Sequence, residues 1–318
     1  MAGYLVSILT FTGFFLILAL ALNLQWGMTG MVNFAVAGFY GLGAYTSGLL
    51  TMKAGVPVGL AIAAAPVAGA VLGAGVAALA VRLREDFFAI ATLGFGESLR
   101  LIFLNEDWLT NGPRGLPIDV RPMQSWVPRE GYPLLYLALV LAAVALVFAI
   151  VETIRRAPYG RVLRAIREDD VIAEVMGKPV LGIRITVFAL GGALMAGAGA
   201  LYAHYTQNIS PDHFTTFVSI YIWMAVILGG AGNNWGLVIG AGAVMAVLEG
   251  SRFLAGDGGF LGPAQISALR MMLIGVVIIA VIRLRPQGLV PEPRLRAARF
   301  RHAGAGAVTP ALKEGDRA

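Results

Sequence analysis

The feature that most constrains this chain is a series of long apolar segments separated by short polar turns. A helix that crosses a bilayer needs about 20 mostly apolar residues. The segments that approach this length lie near residues 4–25, 31–50, 56–81, 86–104, 132–153, 183–205, 217–231, 235–254 and 265–283. Strands of alternating polarity, which build membrane barrels, are not seen. The sequence therefore predicts an all-α, polytopic transmembrane bundle with about eight to ten spans. The Gly-rich segment 31–50 and the short segment 217–231 are candidates for broken or re-entrant helices.

The composition agrees with this class. Hydrophobic residues make up 58% of the 318 residues and charged residues only 13%, which is about half the usual share in soluble domains. A soluble domain of this length has too little interior for so much apolar surface, which disfavours disorder, a coiled coil and a cytosolic enzyme. The chain contains no cysteine and three histidines, so thiolate metal sites and cysteine nucleophiles are excluded.

Basic residues cluster in polar regions and indicate an orientation. The regions are the turn with Arg82 and Arg84, the loop 154–184 and the chain after Arg285. Lys and Arg favour the cytoplasmic side, and all three regions fall on one side if the nine segments alternate. We therefore expect a transmembrane domain over residues 1–290 with an external N-terminus and an outer loop at 105–131. Residues 291–318 then form a basic, partly disordered cytoplasmic tail.

The most informative polar segment lies at residues 157–179, on the predicted cytoplasmic side. Pro158 and Gly160 predict a turn, after which three arginines at a spacing of three share one helical face. These are Arg161, Arg164 and Arg167. Acidic residues then open a second short helix, near the positive end of its dipole. These are Glu168, Asp169 and Asp170. Gly177 predicts a C-terminal cap, and Pro179 stops the helix.

Periodicity alone leaves two interpretations of this segment open. The second helix has an apolar side, formed by Val171, Ile172, Val175 and Met176. The segment is either a solvated loop that carries positive-inside charge or a docking surface for a cytoplasmic partner.

Few polar side chains lie inside the apolar segments. Glu97 and Arg100 are three residues apart, close enough to pair on a helix. Ionisable groups in hydrocarbon are costly and face protein or water, and we interpret these two as a structural intramembrane pair. Thr29, Asn33 and Phe34 lie at the break between the first two segments. They are candidates for a substrate path, although close packing already explains the neighbouring glycines.

Several stretches of the sequence resemble one protein family in the same order. They are Gly30–Leu50 (GMVNFAVAGFYGLGAYTSGLL), Phe87–Asn105, Leu109–Leu116 (LTNGPRGL), Gly160–Val180 (GRVLRAIREDDVIAEVMGKPV), Gly199–Thr215, Val226–Ala241 and Arg283–Val290 (RLRPQGLV). Together they resemble the permease subunits of branched-chain amino-acid ABC importers, of the LivM type. Each stretch alone is a weak signal, whereas the ordered set is specific.

This resemblance implies an architecture and a role. Such permeases pair with a second homologous permease subunit in the cell inner membrane, and two cytoplasmic ATP-binding subunits dock beneath them. A periplasmic or lipid-anchored solute-binding protein delivers the substrate. The residues that would enter a cleft of the ATPase are Arg161, Arg164, Arg167, Glu168, Asp169, Asp170, Glu174 and Gly177. We expect a non-enzymatic path for branched-chain or other apolar amino acids.

ATP hydrolysis must then come from other subunits. A phosphate-binding loop needs glycines followed by Gly-Lys-Ser/Thr, whereas Pro179 follows the Gly177–Lys178 pair. ATP and Mg²⁺ are therefore expected on the partner subunits, and no metal, cofactor or catalytic residue is expected on this chain. The basic clusters flank apolar spans, so they indicate a lipid bilayer and not nucleic acid as the partner.

The sequence departs from the family pattern at the first Gly-rich helix and leaves alternatives open. Asn33 stands where many members have serine, and Val36 stands where they have histidine. The same architecture carrying urea, amides or another small solute is therefore the first alternative. An ion-driven secondary transporter would need intramembrane carboxylates, yet Glu97 and Glu249 each have an arginine nearby. A membrane enzyme ranks last because no convergent catalytic set is present.

Overall fold

The computed structural model describes residues 2–80, 83–124, 128, 130–253 and 287–292, with isolated positions from 265 to 285. The described residues form the α-helices α1 (Ala2–Leu22), α2 (Val36–Met52), α3 (Val58–Ala80), α4 (Glu85–Asn105), α5 (Asp107–Thr110), α6 (Tyr132–Arg156), α7 (Pro158–Glu168), α8 (Asp170–Val175), α9 (Val180–Thr206), α10 (Thr216–Gly229) and α11 (Asn234–Phe253). Two short strands, β1 (Leu116–Pro117) and β2 (Asn208–Ile209), pair antiparallel.

The predicted all-α, polytopic bundle is confirmed. Within the described residues, six helices are long and apolar enough to cross a membrane. They are Gly3–Gly27, Val58–Ala80, Asp86–Asn105, Tyr132–Arg156, Val180–Thr206 and Pro211–Gly229. The helices α2 and α11 are present but do not meet these criteria, and most of the predicted segment 265–283 lies outside the described residues. The count of eight to ten spans therefore stays a prediction. The boundary at residue 290 between the transmembrane domain and the tail also stays a prediction.

The chain between α1 and α2 is a broken region inside the bundle. A π-helical turn over Asn23–Gly27 extends α1, and Gly30 then adopts a φ of +78°, which favours glycine. The helix predicted over 31–50 begins only at Val36, so residues 30–34 are non-helical. These residues are buried or half-buried, which agrees with the expectation that irregular backbone in a membrane domain is surrounded by protein.

The central helix α9 packs against α2 and α3 through small residues. A Cβ atom at Gly43 or Gly199 on one side, or at Gly69 on the other, would overlap backbone atoms of the facing helix. Helix backbones therefore approach closely at these crossings. This is common in membranes, where helices associate by close packing because there is no hydrophobic driving force between them. This packing fixes α2 and the broken region beside α9.

Candidate functional site

The segment predicted at 157–179 forms two short helices joined by one extended residue. Pro158 and Gly160 do not form a separate turn, since they lie in the first turn of α7, where proline needs no amide donor. Asp169 is the extended residue, and its carboxylate accepts a hydrogen bond from the Ile172 amide at 2.9 Å, which caps α8. After α8, Gly177 has a φ of +76°, and α9 begins directly after Pro179.

The three arginines of α7 have different surroundings. Arg161 is exposed, while the other two are half-buried. Arg167 donates hydrogen bonds to the Gly27 carbonyl and, at 2.8 Å, to the Glu292 carboxylate. Arg164 lies 3.6 Å from the same carboxylate. The face they share is therefore turned partly toward the bundle, and Arg161 is the member left to face outward.

The second helix presents apolar side chains away from the bundle. We call this surface the α8 patch, and its members are Val171, Ile172, Val175 and Met176. Each is between 61% and 82% exposed, whereas Ala173 on the other side of α8 is buried. Asp170 contacts Arg184 of α9 at 3.1 Å. On α7, partial burial raises the pKa of the Tyr159 phenol.

Acidic residues around the α8 patch are exposed, and one of them borders a crevice. Glu168 and Glu174 both face outward. The crevice beside α8 has a volume of about 540 Å³, and its lining residues are Leu83, Arg84, Asp170, Glu174, Val180, Leu181 and Arg184.

Arg84 belongs to the basic turn before α4, and Glu292 to the start of the predicted tail. The three regions predicted to share one side of the membrane therefore meet at one end of the bundle.

A buried polar cluster lies behind this end. We call it the basal network, and its members are Asn23, Glu152, Gly232 and Asn234. The Glu152 carboxylate accepts hydrogen bonds from Arg155 at 2.8 Å and from Asn234 at 2.8 Å. Asn234 in turn accepts one from Asn23 at 2.9 Å, and Asn23 accepts one from the Gly232 amide at 2.7 Å. The network connects α6, the π-helical turn after α1, and the α10–α11 turn.

The sequence interpretation missed Glu152 and Glu292. Glu152 precedes Arg155 and Arg156 by three and four residues, which is the spacing of helical ion pairs, so a local signal existed. Glu292 has no such signal, because its partners lie more than 120 residues away in sequence. Its position is set by backbone: the Leu289 and Val290 amides donate to the Leu228 and Gly229 carbonyls at 2.8 and 3.1 Å.

The candidate path residues Thr29, Asn33 and Phe34 separate into two environments. Thr29 and Asn33 are fully buried, and both contact Gln25 in the π-helical turn. The Asn33 side chain donates to the Gln25 side chain at 2.7 Å, and the Asn33 backbone carbonyl accepts from the Trp223 indole at 2.9 Å. These bonds hold the broken region in shape. Phe34 instead stacks on Trp223, with ring centroids 5.0 Å apart, and reaches a surface groove.

This groove, which we call the α4 groove, lies between α2, α4 and α10. It is too narrow to hold a water molecule, and its lining residues are Phe34, Ala37, Gly38, Leu93, Gly96, Glu97, Phe214, Thr216 and Ser219. Glu97 accepts a hydrogen bond from Arg100 Nε at 2.9 Å and one from the Thr216 hydroxyl at 3.3 Å. Within the described part of the chain, no group of three or more His, Asp or Glu side chains is placed to hold a metal ion.

Comparison with known proteins shows to which family this chain belongs. Residues 4–282 match the sequence profile of the family described as "Branched-chain amino acid transport system / permease component". The chain belongs to this branched-chain amino-acid permease family. The permease protein LivM of Escherichia coli strain K12 is 32% identical over 91% of this chain and 70% of that protein. The probable LivM permease of Methanocaldococcus jannaschii is 30% identical over 90% of this chain and 92% of its own.

More distant members of the permease family also match. The LivH permease protein of the high-affinity branched-chain amino-acid transport system of Escherichia coli strain K12 is 24% identical over 88% of this chain and 92% of its own length. No solved structure matches the chain. The family resemblance seen in the sequence is thus confirmed, and with the six apolar helices it identifies a multi-pass membrane protein of a transport system. Its relatives are permeases and not enzymes.

Proposed function

We propose that this chain is the transmembrane permease subunit of an ATP-binding-cassette importer for branched-chain or other apolar amino acids. It pairs with a homologous permease subunit in the inner membrane, and a periplasmic or lipid-anchored binding protein supplies the substrate. Two cytoplasmic subunits hold ATP and Mg²⁺ and provide the energy, since this sequence has no phosphate-binding loop. Membership of the permease family and similarity to proteins named LivM and LivH support this role.

The observation that carries the proposal is the α8 patch. Apolar side chains that are more than half exposed mark an interaction surface when they are contiguous and have a polar rim. Arg161, Glu168 and Glu174 supply that rim. The α8 patch therefore serves as the apolar centre of the contact with an ATP-binding subunit, and the charged residues around it set its orientation.

The contacts of α7 suit the transmission of movement. Arg167 contacts the π-helical turn through the Gly27 carbonyl, and together with Arg164 it contacts Glu292. Glu292 follows the strand-like residues that bond to the end of α10. A displacement of α7 by the ATPase would therefore move α1 and α10 as one body with it, because short polar contacts link rigid helices.

An ion-driven mechanism fits the charges less well. Glu97 and Glu152 are carboxylates in membrane-spanning helices, and each accepts hydrogen bonds from a neighbouring arginine. A carboxylate that carries protons must be free to lose and regain its charge, whereas both of these are bonded to an arginine of the same helix. Urea or an amide as the solute stays the alternative within the same importer architecture.

The matched substitutions Val175→Glu and Val175→Leu test the role of the α8 patch. Val175 is 82% exposed, so neither change disturbs the fold. A charge at the centre of an apolar contact costs about 2 kcal/mol or more, which corresponds to roughly a 30-fold loss of affinity. We expect Val175→Glu to abolish co-purification of the ATPase subunit and ATP-dependent leucine uptake, and Val175→Leu to retain both. Equal retention in both variants would refute the docking role.

A further inference from the structure

The spanning helices of this bundle present two kinds of surface to their surroundings. Helix α3, over its fully described length, exposes only apolar side chains, and Leu60, Val67, Val71 and Leu79 are each 62–87% exposed. Helix α6 also exposes only apolar side chains along residues 133–150, all of which the structure describes. Lipid tails can cover both surfaces, because neither offers a polar side chain that needs water or a protein partner.

Helix α4 differs from these two because it exposes charge at the depth of the hydrocarbon core. It has 21 residues and a length of about 31 Å, which is close to the thickness of that core. Glu97 lies eight residues before the end at Asn105, or about 12 Å along the axis. The Glu97 side chain is 38% exposed, and that of its partner Arg100 is 19% exposed. Ionisable groups at this depth face protein or water, because contact with hydrocarbon is costly.

The α4 groove does not hydrate this ion pair. It runs beside Glu97 and is too narrow to hold a water molecule. Arg100 donates from Nε to Oε1 of Glu97 at 2.9 Å, whereas Oε2 accepts a long bond of 3.3 Å from the Thr216 hydroxyl. A carboxylate oxygen has two lone pairs, so Oε2 keeps capacity for a further hydrogen bond. The exposed side of the pair therefore needs polar surroundings that the described residues do not supply.

The charged pair belongs to an exposed surface on two adjoining helices, which we call the α4–α10 face. On α4, Leu93 and Leu101 lie one helical turn before and after Glu97, and they are 37% and 42% exposed. On α10, which borders α4 at the α4 groove, Phe217 and Ile220 are 49% and 37% exposed. These five residues define the face. Apolar packing combined with a polar contact is how spanning helices associate in a membrane.

The depth of the α4–α10 face limits what can cover it. Soluble subunits dock at the ends of the bundle, as the α8 patch does in the role proposed above. A surface centred about 12 Å inside α4 is reached by another protein that spans the membrane. In the importer proposed above, that protein is the homologous permease subunit.

We propose that the α4–α10 face is the surface through which this chain packs against the homologous permease subunit, while α3 and α6 face lipid. Leu93, Leu101, Phe217 and Ile220 pack against apolar side chains of the partner, and hydrogen-bond donors of the partner satisfy Oε2 of Glu97. This inference rests on the proposed function and assigns the position of the partner permease on this chain.

Photocrosslinking in the assembled importer tests where the partner permease lies. Benzoylphenylalanine is incorporated at Leu101 on the α4–α10 face or at Val71 on α3, and the two permeases carry different epitope tags. We expect irradiation to join this chain to the partner at least fivefold more efficiently from Leu101 than from Val71. Val71 is the more exposed of the two positions, so exposure alone would favour the opposite result. Equal or reversed yields, or no product with the partner from Leu101, overturn the assignment.

Two exposed glycines give a matched test by substitution. Gly94 on α4 and Gly75 on α3 are both exposed, and a Cβ atom at either one meets no facing atom of this chain within 4 Å. Gly94 lies three residues before Glu97, on the same side of α4. We expect Gly94→Trp to lower recovery of the partner permease at least fivefold, because a large side chain separates packed helices. Gly75→Trp should leave recovery unchanged, and equal recovery with both variants refutes the face. Thermal unfolding of each variant without the partner is the control for folding.

The same experiments distinguish failure of the face from failure of the proposed function. If no homologous permease co-purifies with the wild-type chain, the proposed architecture is wrong and the assignment of the face is wrong with it. If the partner co-purifies and its crosslinks come from Val71 on α3 instead of Leu101, the importer stands and only the face is refuted.

Discussion

Two glutamate–arginine pairs of this permease have the same spacing and very different surroundings. Glu97 and Arg100 on α4, and Glu152 and Arg155 on α6, are both three residues apart and both 2.5 Å at closest approach. Glu97 is 38% exposed and has a threonine as its other partner. Glu152 is 11% exposed and is bonded into the basal network. The spacing predicts a pair, but the packing of other helices decides what the pair does.

The difference separates a partly open ion pair from a buried joint between helices. Around Glu152, each polar atom of Asn23 and Asn234 meets another buried polar group, and such networks rigidify a core when they are fully satisfied. Around Glu97, the groove leaves one carboxylate oxygen weakly bonded. We therefore expect stability to depend more on the Glu152–Arg155 pair than on the Glu97–Arg100 pair.

The largest expected effect on stability comes from Glu152→Gln. Removing one member of a buried ion pair costs about 3–5 kcal/mol because the other charge loses its partner. Glu97→Gln, at an exposed pair, should cost about 1 kcal/mol or less. Thermal unfolding in detergent, with both variants in parallel, measures the difference. Equal shifts in Tm would show that the two pairs are alike after all.

Asn234→Ala should have the next largest effect. It removes the bridge between Glu152 and Asn23 and leaves the buried Asn23 amide group without its acceptor, at a cost of about 1–3 kcal/mol. Asn105→Ala is the matched control, because Asn105 is exposed and bonds only within its own helix, to the Leu101 carbonyl. The same unfolding experiment applies. A smaller loss of stability for Asn234→Ala than for Asn105→Ala would show that the basal network does not stabilise the fold.

The contact of Arg167 with Glu292 should affect coupling more than stability. This pair is partly exposed, so a double-mutant cycle with Arg167→Gln and Glu292→Gln should give an interaction energy of about 0.5–1 kcal/mol. We expect leucine import per ATP hydrolysed to fall several-fold while the ATPase subunit still co-purifies. Loss of the ATPase subunit in these variants would instead place Arg167 in the docking surface.

The smallest effect is expected within the α4 groove. Thr216→Val removes one long hydrogen bond from a half-buried site, which should change stability by about 0.5 kcal/mol or less. The buried Ser219 on the same helix accepts a hydrogen bond from the Ala37 amide at 3.0 Å, so Ser219→Ala should cost more, about 1–2 kcal/mol. A reversed order in unfolding measurements would mean that Thr216 supports the fold.

The fold class and the charged helical segment of α7 and α8 were predictable because their signals are local. Runs of about 20 apolar residues identify spans, and Asp169 and Gly177 mark the ends of α8 as capping rules require. The turn predicted at Pro158 was wrong because proline also suits the first turn of a helix. The late start of α2 follows from the positive φ of Gly30, which a hydropathy pattern does not report.

The candidate site was predictable only in part because its decisive contacts are long-range. Nothing near Arg167 in sequence indicates Gly27 or Glu292 as its partners, since 140 and 125 residues separate them. Asn33 is polar, as a path-lining residue would be. Inside the bundle, however, its side-chain amide donates to Gln25 and its backbone carbonyl accepts from Trp223. The groove beside Glu97 arises only where α2, α4 and α10 meet.

The most direct test of the central claim, that separate ATPase subunits drive this permease, is leucine uptake into sealed vesicles. One set of vesicles contains the chain with its permease partner and ATPase subunits, and the other contains the permeases alone. Binding protein and labelled leucine are supplied on one side and ATP on the other. We predict uptake against the gradient only in the complete set and only with ATP. Uphill uptake by the permeases alone, driven by a proton or sodium gradient, would contradict the account.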